Sequence, residues 1–290
     1  MSREPGVRIS ESGASLARTQ EEGAAGGCVD DEDAAGGVPA RRGERHGSHD
    51  AISGEVVALA GPAGGGRALR DVAWPAAAER AASSLLVVPV GSTEQHGPHL
   101  PLTTDTDVAV ALASGLAAAR PDVVLGPALP YGSSGEHARF PGTISIGAAA
   151  LELVVVELVR SADAFAGVVV VSGHGGNHDA LCRARATATA EGRRLLVWAP
   201  SIPGGDAHAG RTETSLMLHL RPGSVDEAAA AAGNTTDLAT LLPELRAHGV
   251  AALSPNGVLG DPAGATASEG EVLLARLTRD LVDAVAAWAP

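Results

Sequence analysis

A short loop after an apolar run carries the types of side chain that metal ions bind. The segment "VVPVGSTEQHGPHLPLTTD" spans residues 87–105 and contains Glu94, His96 and Asp105. Glu94 and His96 are two positions apart, so their side chains point to the same side of an extended segment. Carboxylates together with imidazole are typical ligands of zinc, manganese and ferrous iron, whereas calcium requires more oxygen ligands. The loop therefore predicts part of a zinc, manganese or iron site.

Two later clusters could complete this site, "SGHGGNHD" at residues 172–179 and "GGDAHAGRTE" at residues 204–213. In the first, His174 lies on a glycine-rich turn, where small neighbours let a metal ion or a substrate approach the backbone. In the second, Glu213 begins a predicted helix. Three carboxylates against two divalent ions leave a residual positive charge, which suits Lewis-acid chemistry. The same part of the chain holds seven of the ten histidines, namely His96, His99, His137, His174, His178, His208 and His219.

The remaining polar residues allow more than one interpretation. Glu136 and His137 lie in "YGSSGEHARFPGTIS" and could contact substrate or form a structural turn. His208, on a glycine-flanked loop, is a candidate to deliver a proton to a departing amine, or alternatively a hydrogen-bond donor that orients a ligand. The other three histidines are interpreted as orienting or structural groups (His99 and His178) and as a core or interface residue (His219).

These polar clusters follow the ends of predicted strands. From about Ala82 onward, short β-branched runs alternate with alanine-rich helical segments, which is typical of an α/β protein with a mostly parallel sheet covered on both faces. Ligands collect beyond the carboxyl ends of the strands in such sheets. The predicted strands are residues 85–90, 122–129, 168–172 and 194–200; the predicted helices are residues 106–119, 150–166 and 178–192, a helix N-capped by Thr212, and a closing helix to about Trp288.

Residues 1–50 differ in composition from the rest of the chain. They are rich in glycine, alanine, serine and charged residues and contain almost no large apolar side chains. Such a segment cannot bury enough surface to offset its ordering entropy, so a disordered leader is predicted. Residues 51–290 are then predicted to form the domain that carries the metal site.

Composition argues against several classes of function. All 21 basic residues are arginine, and both a Schiff base and a Walker-type phosphate loop require lysine. A formal net charge of -13 argues against a nucleic-acid partner. The first residues contain no apolar signal segment, and no apolar run is long enough to span a membrane. We therefore expect a cytoplasmic protein with neither a membrane nor a nucleic-acid partner.

Two alternatives to a metal site are weaker. A nucleotide-binding or regulatory α/β protein could use "SGHGGN" as a phosphate loop, but the third glycine of that motif is not at the required place. A serine hydrolase of the α/β class would need a G-x-S-x-G elbow, and the sequence contains none.

The chain resembles the creatininase (creatinine amidohydrolase) family in several successive blocks. These are "PVGSTEQHGPHLPLTTD", "GSSGEHARFPGTIS", "SGHGGN" and "HAGRTETSLML". The resemblance implies a three-layer α/β/α sandwich that binds two divalent metal ions and hydrolyses carbon–nitrogen bonds of amides. It further implies that Glu94, Asp105 and His174 hold one ion. His96, Asp105 and another carboxylate would hold the second ion, with Asp105 as the bridge.

The source of that last carboxylate differs between branches of the family. Creatininase itself takes it from the position that matches Gly176, whereas other branches take it from the "ETS" block, which implies Glu213 here. His208 and Glu213 are therefore the candidate catalytic residues. The resemblance extends furthest, through residues 232–270, toward the branch that serves mycofactocin biosynthesis. It implies a modified ribosomal precursor peptide as substrate, release of its C-terminal Val-Tyr-derived unit, and assembly into a homo-oligomer; the alternative is a small-molecule amidohydrolase acting on a formamide or a cyclic amide such as creatinine.

Overall fold

A computed structural model describes residues 68–289. The predicted leader, residues 1–50, and the start of the domain at residue 51 lie outside the described residues. The described chain is built on one sheet of four parallel strands in the order β2-β1-β3-β4. The strands are β1 (Leu85–Val90), β2 (Val123–Leu125), β3 (Gly167–Ser172) and β4 (Leu195–Trp198).

The two central strands, β1 and β3, are buried along their whole length. Their apolar runs contain several β-branched valines, which favour a pleated, covered surface. They pair in parallel from Leu85 with Gly167 to Val90 with Ser172. Because adjacent parallel strands end at the same edge, the loops after β1 and β3 emerge side by side.

Helices cover both faces of the sheet. Within residues 68–289 no helix combines the length and the apolar character needed to cross a membrane. The helices are α1 (Trp74–Ala81), α2 (Thr104–Ala119), α3 (Ala148–Ser161), α4 (His178–Ala190), α5 (Arg211–Leu220), α6 (Leu238–His248), α7 (Val250–Leu253) and α8 (Ala267–Trp288).

Alternate residues of β1 contribute to two separate cores. Leu85 and Val87 pack in the core that includes α2, α5 and α8. Leu86, Val88 and Val90 pack in the core that includes α3 and α4. This alternation follows from the period of two along a strand. The predicted three-layer α/β/α architecture with a parallel sheet is therefore confirmed.

One strand and one helix are shorter than predicted. The strand predicted over residues 122–129 ends at Leu125. Pro127 lacks the backbone N–H that a continuing ladder would need, and Leu129 returns to the sheet only as an isolated bridge to Val90. The helix predicted to reach residue 166 ends at Ser161.

Two helical predictions need correction at the carboxyl half of the chain. Thr212 is not an N-cap, since α5 already begins at Arg211 and Gly210 occupies the cap position. The Arg211 backbone N–H donates instead to the Asp206 carboxylate, at 2.6 Å. The sequence reading also missed α6, which carries Pro243 in its interior, because proline normally argues against a helix.

Helices α5 and α8 approach each other closely at Gly270. A Cβ atom at this position would lie 1.9 Å from the Ser215 carbonyl oxygen and 3.0 Å from the His219 Cβ. Glu269, the preceding residue, accepts hydrogen bonds from the Ser215 hydroxyl and the Arg211 guanidinium. The start of α8 therefore holds α5 in place.

We predict that Gly270→Ala destabilises the protein. In an exposed helix the same change would stabilise by about 1 kcal/mol, but the clash with α5 should reverse the sign and cost about 1–3 kcal/mol. Urea unfolding monitored by circular dichroism measures the difference. Gly223→Ala is the matched control, because a Cβ there meets nothing within 4 Å, and it should change the stability by less than about 0.5 kcal/mol. A stabilised Gly270→Ala protein would contradict the close approach.

Candidate metal centre

The loop after β1 folds back on itself and gathers its polar side chains. The Glu94 backbone N–H donates to the Leu102 carbonyl at 3.0 Å, and His96 forms a bridge with Leu100. Asp105 then lies in the first turn of α2. Glu94, His96 and Asp105 are all buried. The loop thus brings its two carboxylates and the imidazole inside the protein.

His174 joins this group from the turn after β3. Its Nδ1 lies 3.2 Å from Glu94 Oε1 and 3.4 Å from Asp105 Oδ2. The approach requires a glycine at position 173, because a Cβ there would lie 2.1 Å from the Asp105 carbonyl oxygen. Glu94, Asp105 and His174 form one group whose candidate ligand atoms lie within 4.8 Å of one another.

A second group shares Asp105 and includes Glu213 from α5. His96 Nε2 lies 3.0 Å from Asp105 Oδ1 and 4.0 Å from Glu213 Oε2. The candidate ligand atoms of His96, Asp105 and Glu213 also lie within 4.8 Å of one another. The two oxygens of Asp105 therefore face different histidines, Oδ1 toward His96 and Oδ2 toward His174, which is the arrangement of a bridging carboxylate.

The loop before α5 positions both His208 and Glu213. His208 pairs with Leu259 through two backbone hydrogen bonds of 3.1 and 2.9 Å. The next residue, Ala209, is buried with φ +52°, the one non-glycine residue of the described chain in the left-handed region. This conformation costs roughly 1–2 kcal/mol. It coincides with a hydrogen bond of 2.6 Å from the Ala209 N–H to Glu213 Oε2, which orients the carboxylate.

Two more imidazoles, His137 and His208, surround Glu94. His137 Nε2 lies 3.2 Å and His208 Nδ1 lies 3.9 Å from Glu94 Oε1. The His208 ring lies against those of His96 and His137, with centroid distances of 4.3 and 4.5 Å. Glu94, His96 and His208 form a third group of potential ligands.

The carboxylates of this site are poorly satisfied by the protein itself. Among the described residues, both oxygens of Glu94 and Oδ2 of Asp105 have no hydrogen-bond partner. Imidazole nitrogens lie within 4 Å of Glu94 Oε1 and Asp105 Oδ2, but none of these contacts has hydrogen-bonding geometry. Buried charges are normally paired or coordinate a metal ion. The donor set and the unsatisfied oxygens therefore fit divalent cations.

The carboxylates change the proton affinity of the histidines that they touch. Burial alone would lower the pKa of His96, but Asp105, followed by Glu213 and Glu94, raises the pKa to about 10. Burial likewise opposes protonation of His174, yet Glu94, Glu136 and Asp105 raise its pKa well above the ordinary value. The carboxylates thus favour positive charge at both imidazoles, and divalent cations would supply that charge in place of protons.

The other two imidazoles are held neutral. Burial, followed by the charge on His96, lowers the pKa of His208 to about 4. Burial and the neighbouring histidines, His208 first among them, lower the pKa of His137. The centre therefore combines two histidines that attract positive charge with two that remain uncharged at neutral pH.

The carboxylate of Glu136 lies beside both His174 and Gly176. Its Oε1 lies 3.4 Å from His174 Nε2, and its side chain is 25% exposed. A Cβ at position 176 would lie 2.2 Å from Glu136 Oε1 and 2.4 Å from His174 Nε2. The carboxylate of Glu136 therefore fills the space that a side chain at position 176 would need.

The remaining predicted histidines are divided between the interior and the surface. His99 is buried, and its Nε2 lies 2.9 Å from the Thr214 hydroxyl, beside Glu213 on α5. His178 is exposed at the start of α4. His219 is exposed on α5, so its interpretation as a core residue was wrong, while its alternative interpretation as an interface residue stays a prediction.

Sequence reasoning missed Gln95, whose side chain is buried between two of the imidazoles. Its Nε2 lies 2.8 Å from His137 Nδ1 and 3.0 Å from His208 Nε2. The residue stands between two predicted ligands, and that position was the one signal available, because an amide does not fit the ligand pattern of zinc, iron or manganese.

Comparison with known proteins adds independent observations. The family model described as "Creatininase: Creatinine amidohydrolase" matches residues 70–285. The "Mycofactocin precursor peptide peptidase" of Mycolicibacterium smegmatis is 51% identical over 213 residues, which cover 71% of this chain and 86% of that protein. The Mycobacterium tuberculosis protein of the same name is 51% identical over 219 residues, covering 72% of this chain and 87% of the relative.

Solved structures show the same fold. A crystal structure of creatinine amidohydrolase (creatininase) has a TM-score of 0.67 at 25% identity and covers 78% of this chain and 100% of its own. A structure described as "Creatininase Mn" has a TM-score of 0.66 at 25% identity, covering 77% of this chain and 99% of that one. Such matches are difficult to reconcile with a nucleotide-binding or regulatory α/β protein. On the strength of the family match and its half-identical relatives, the chain belongs to the creatininase family of amide hydrolases.

Proposed function

We propose that this protein is a metal-dependent peptidase that hydrolyses the modified mycofactocin precursor peptide and releases its C-terminal Val-Tyr-derived unit. The observation that carries the proposal is the position of the Asp105 carboxylate. Its Oδ1 faces His96, from the loop after β1, and its Oδ2 faces His174, from the turn after β3. A shared carboxylate is what a pair of divalent ions needs. The substrate class is taken from the relatives that are 51% identical and named mycofactocin precursor peptide peptidases.

Glu94, Asp105 and His174 would hold one divalent ion, and His96, Asp105 and Glu213 the other. Zinc, iron(II) and manganese all suit this mixture of imidazole and carboxylate ligands. When bound, such ions lower the pKa of a water molecule and polarise the amide carbonyl. Glu213 rather than a residue at position 176 completes the second group, because Gly176 has no side chain to offer.

His208 is proposed to move a proton between the water and the leaving amine. Its Nε2–H donates to the Gln95 carbonyl at 2.8 Å, so its Nδ1 carries the lone pair and faces Glu94. With a pKa lowered to about 4, the imidazole is neutral near pH 7. It must therefore first accept a proton at Nδ1 before it can give one to the amine. Glu213 assists by accepting the Ala209 N–H and so fixing the loop that carries His208.

Glu136 and His137 are proposed to contact the substrate.

The three tryptophans of the chain lie in other parts of the fold. Trp74 is 81% exposed on α1, Trp198 is buried in the core, and Trp288 lies under the Arg194 guanidinium. We therefore propose no tryptophan as a substrate contact, and the preference for a peptide over a small cyclic amide rests on the named relatives. A homo-oligomer and a cytoplasmic location stay predictions.

The first prediction from the proposed function concerns the substrate and the need for metal. We expect the zinc- or manganese-loaded protein to cleave the modified precursor peptide, with mass spectrometry detecting the C-terminal fragment, and to leave the unmodified peptide and creatinine unchanged. Dialysis against a chelator should abolish cleavage because the carboxylates would lose their cations, and added metal should restore it. Exclusive turnover of creatinine would instead favour the small-molecule amidohydrolase.

The second prediction concerns the two ligand groups. Asp105→Asn should lose both ions and all turnover, because Asp105 belongs to both groups. Glu213→Gln should lose the ion held with His96 and keep the other. Elemental analysis after gel filtration, beside the turnover rate, measures both effects.

One control and one further variant accompany these two. Asp280→Asn, on the exposed surface of α8, should change neither metal content nor rate. Glu136→Gln should keep both ions while losing about 10–100-fold in activity, because it removes a group that orients His174. A fully loaded and active Asp105→Asn protein would refute the bridging role.

The third prediction concerns the N-terminal segment, for which we propose no part in catalysis. A variant beginning at residue 51 should keep its metal content and its turnover within about twofold, because a segment with almost no large apolar side chains contributes little to the stability of a folded domain. Thermal unfolding and the peptide assay compare the two lengths. Loss of metal from the shortened protein would show that the domain boundary is wrong.

A further inference from the structure

Four imidazoles surround the carboxylates, those of His96, His137, His174 and His208. A neutral imidazole has one N–H and one lone pair, so the hydrogen bond at one nitrogen decides what the other nitrogen presents. A backbone carbonyl can only accept a hydrogen bond, so a ring nitrogen beside it must carry the hydrogen.

Three of the rings meet backbone carbonyls at their outer nitrogens. His96 Nδ1 lies 3.2 Å from the Glu94 carbonyl oxygen, and His174 Nε2 lies 3.1 Å from that of Ser133. His208 Nε2 lies 2.8 Å from the Gln95 carbonyl oxygen. In each neutral ring the opposite nitrogen therefore turns a lone pair toward the carboxylates, as a metal ligand or a proton acceptor must.

His137 is the exception, and Gln95 is the cause. Gln95 Oε1 accepts the Gly97 N–H at 2.8 Å, which fixes the amide so that its Nε2 is the donor. That nitrogen lies 2.8 Å from His137 Nδ1 and 3.0 Å from the Gly257 carbonyl oxygen. Its two hydrogens therefore serve these two acceptors. His137 Nδ1 must carry the lone pair, and its Nε2 carries the hydrogen.

The contact between Gln95 Nε2 and His208 Nε2, at 3.0 Å, does not alter this assignment. Both amide hydrogens are already used, and His208 Nε2 is itself a donor to the Gln95 backbone. The two nitrogens are neighbours that both donate elsewhere.

His137 therefore presents an N–H toward the centre, where each of the other three rings presents a lone pair when it is neutral. Its Nε2 lies 3.2 Å from Glu94 Oε1, yet that oxygen has no partner with hydrogen-bonding geometry among residues 68–289. The His137 N–H is thus close to the Glu94 carboxylate but does not form a hydrogen bond with it. It is thus available to another oxygen that enters the same space.

We infer that His137 is a catalytic residue that donates its Nε2–H to the substrate carbonyl oxygen, and that Gln95 is the positioning residue that keeps it a donor. The inference rests on the proposed amide hydrolysis, in which that oxygen gains negative charge as the carbonyl carbon becomes tetrahedral. A fixed neutral donor in a buried site stabilises such charge without transferring a proton. His137 is then excluded as a metal ligand.

Nitrogen NMR of the full chain, labelled with 15N-histidine and loaded with zinc, tests the hydrogen positions directly. Protonated and lone-pair ring nitrogens resonate in different ranges, and long-range proton–nitrogen correlations distinguish Nδ1 from Nε2. We expect His137 to carry its hydrogen on Nε2, with a bare Nδ1 that shows no zinc coordination. A hydrogen on His137 Nδ1, or zinc bound to this ring, would overturn the inference.

Kinetics test the catalytic role. Gln95→Leu and His137→Phe should each lower kcat by about 100–1,000-fold, with the zinc content unchanged and KM within about threefold. Because one residue acts through the other, the double variant should lose no more than either single variant. His137→Gln keeps an N–H donor and should retain more activity than His137→Phe. His248→Gln, an exposed histidine on α6, should behave like the unaltered protein.

Multiplicative losses in the double variant, or equal activity of His137→Gln and His137→Phe, would contradict the assignment. The two experiments also separate this inference from the proposed function. If the peptide is not cleaved, the proposed substrate fails, while the NMR spectra of the unaltered protein and of Gln95→Leu still decide whether Gln95 keeps the hydrogen on His137 Nε2.

Discussion

Two carboxylates with almost no contact with solvent dominate the energetics of this protein's site. Glu94 and Asp105 are 0% and 2% exposed, and three of their four oxygens have no hydrogen-bond partner among the described residues. An isolated buried charge is among the most unfavourable groups that a fold can contain. Its burial is tolerable only if positive charge lies beside it. The raised pKa values of His96 and His174 are a direct response to that demand.

The parallel sheet explains how residues so distant in sequence can meet this demand together. Strands β1 and β3 are neighbours, so the loop that carries Glu94 and the turn that carries His174 leave the sheet side by side. Gly173 then lets the two segments touch through their backbones. The remaining candidate ligand, Glu213, comes from a helix rather than from a strand end, and the Glu136 carboxylate occupies the space that a side chain at position 176 would need. The fold topology thus determines which positions face the centre, and the local sequence determines which of them carry carboxylates or imidazoles.

Much of this arrangement could be predicted from the sequence, because its signals are local. The short apolar runs were enough to predict β1, β3 and β4. The polar residues that follow β1 and β3 were enough to predict the candidate ligands Glu94, His96, Asp105 and His174. Glu213 was a candidate from its place in "GGDAHAGRTE", but its assignment to the second group beside His96 and Asp105 needed the family resemblance, since spacing alone does not show which later carboxylate returns to the loop.

Other features depend on contacts between distant segments. Gln95 acquires its role from His137, His208 and Gly257, none of which is its neighbour in the chain. Thr212 does not cap α5 for a similar reason. The backbone N–H of Arg211 at the start of this helix donates to the carboxylate of Asp206, which lies in the preceding loop. Helix α6 tolerates Pro243 against its local propensity. Such features could not be predicted from local sequence, since each depends on tertiary packing.

The junction between α5 and α8 gives the last helix an influence over chemistry in which it takes no direct part. Glu269 holds Arg211 and Ser215, on either side of Glu213, and Gly270 allows the two helices to pack without a gap. The position of one candidate ligand therefore depends on residues more than fifty places further along the chain. A substitution at the start of α8 would shift that carboxylate as well as weaken the packing between the two helices.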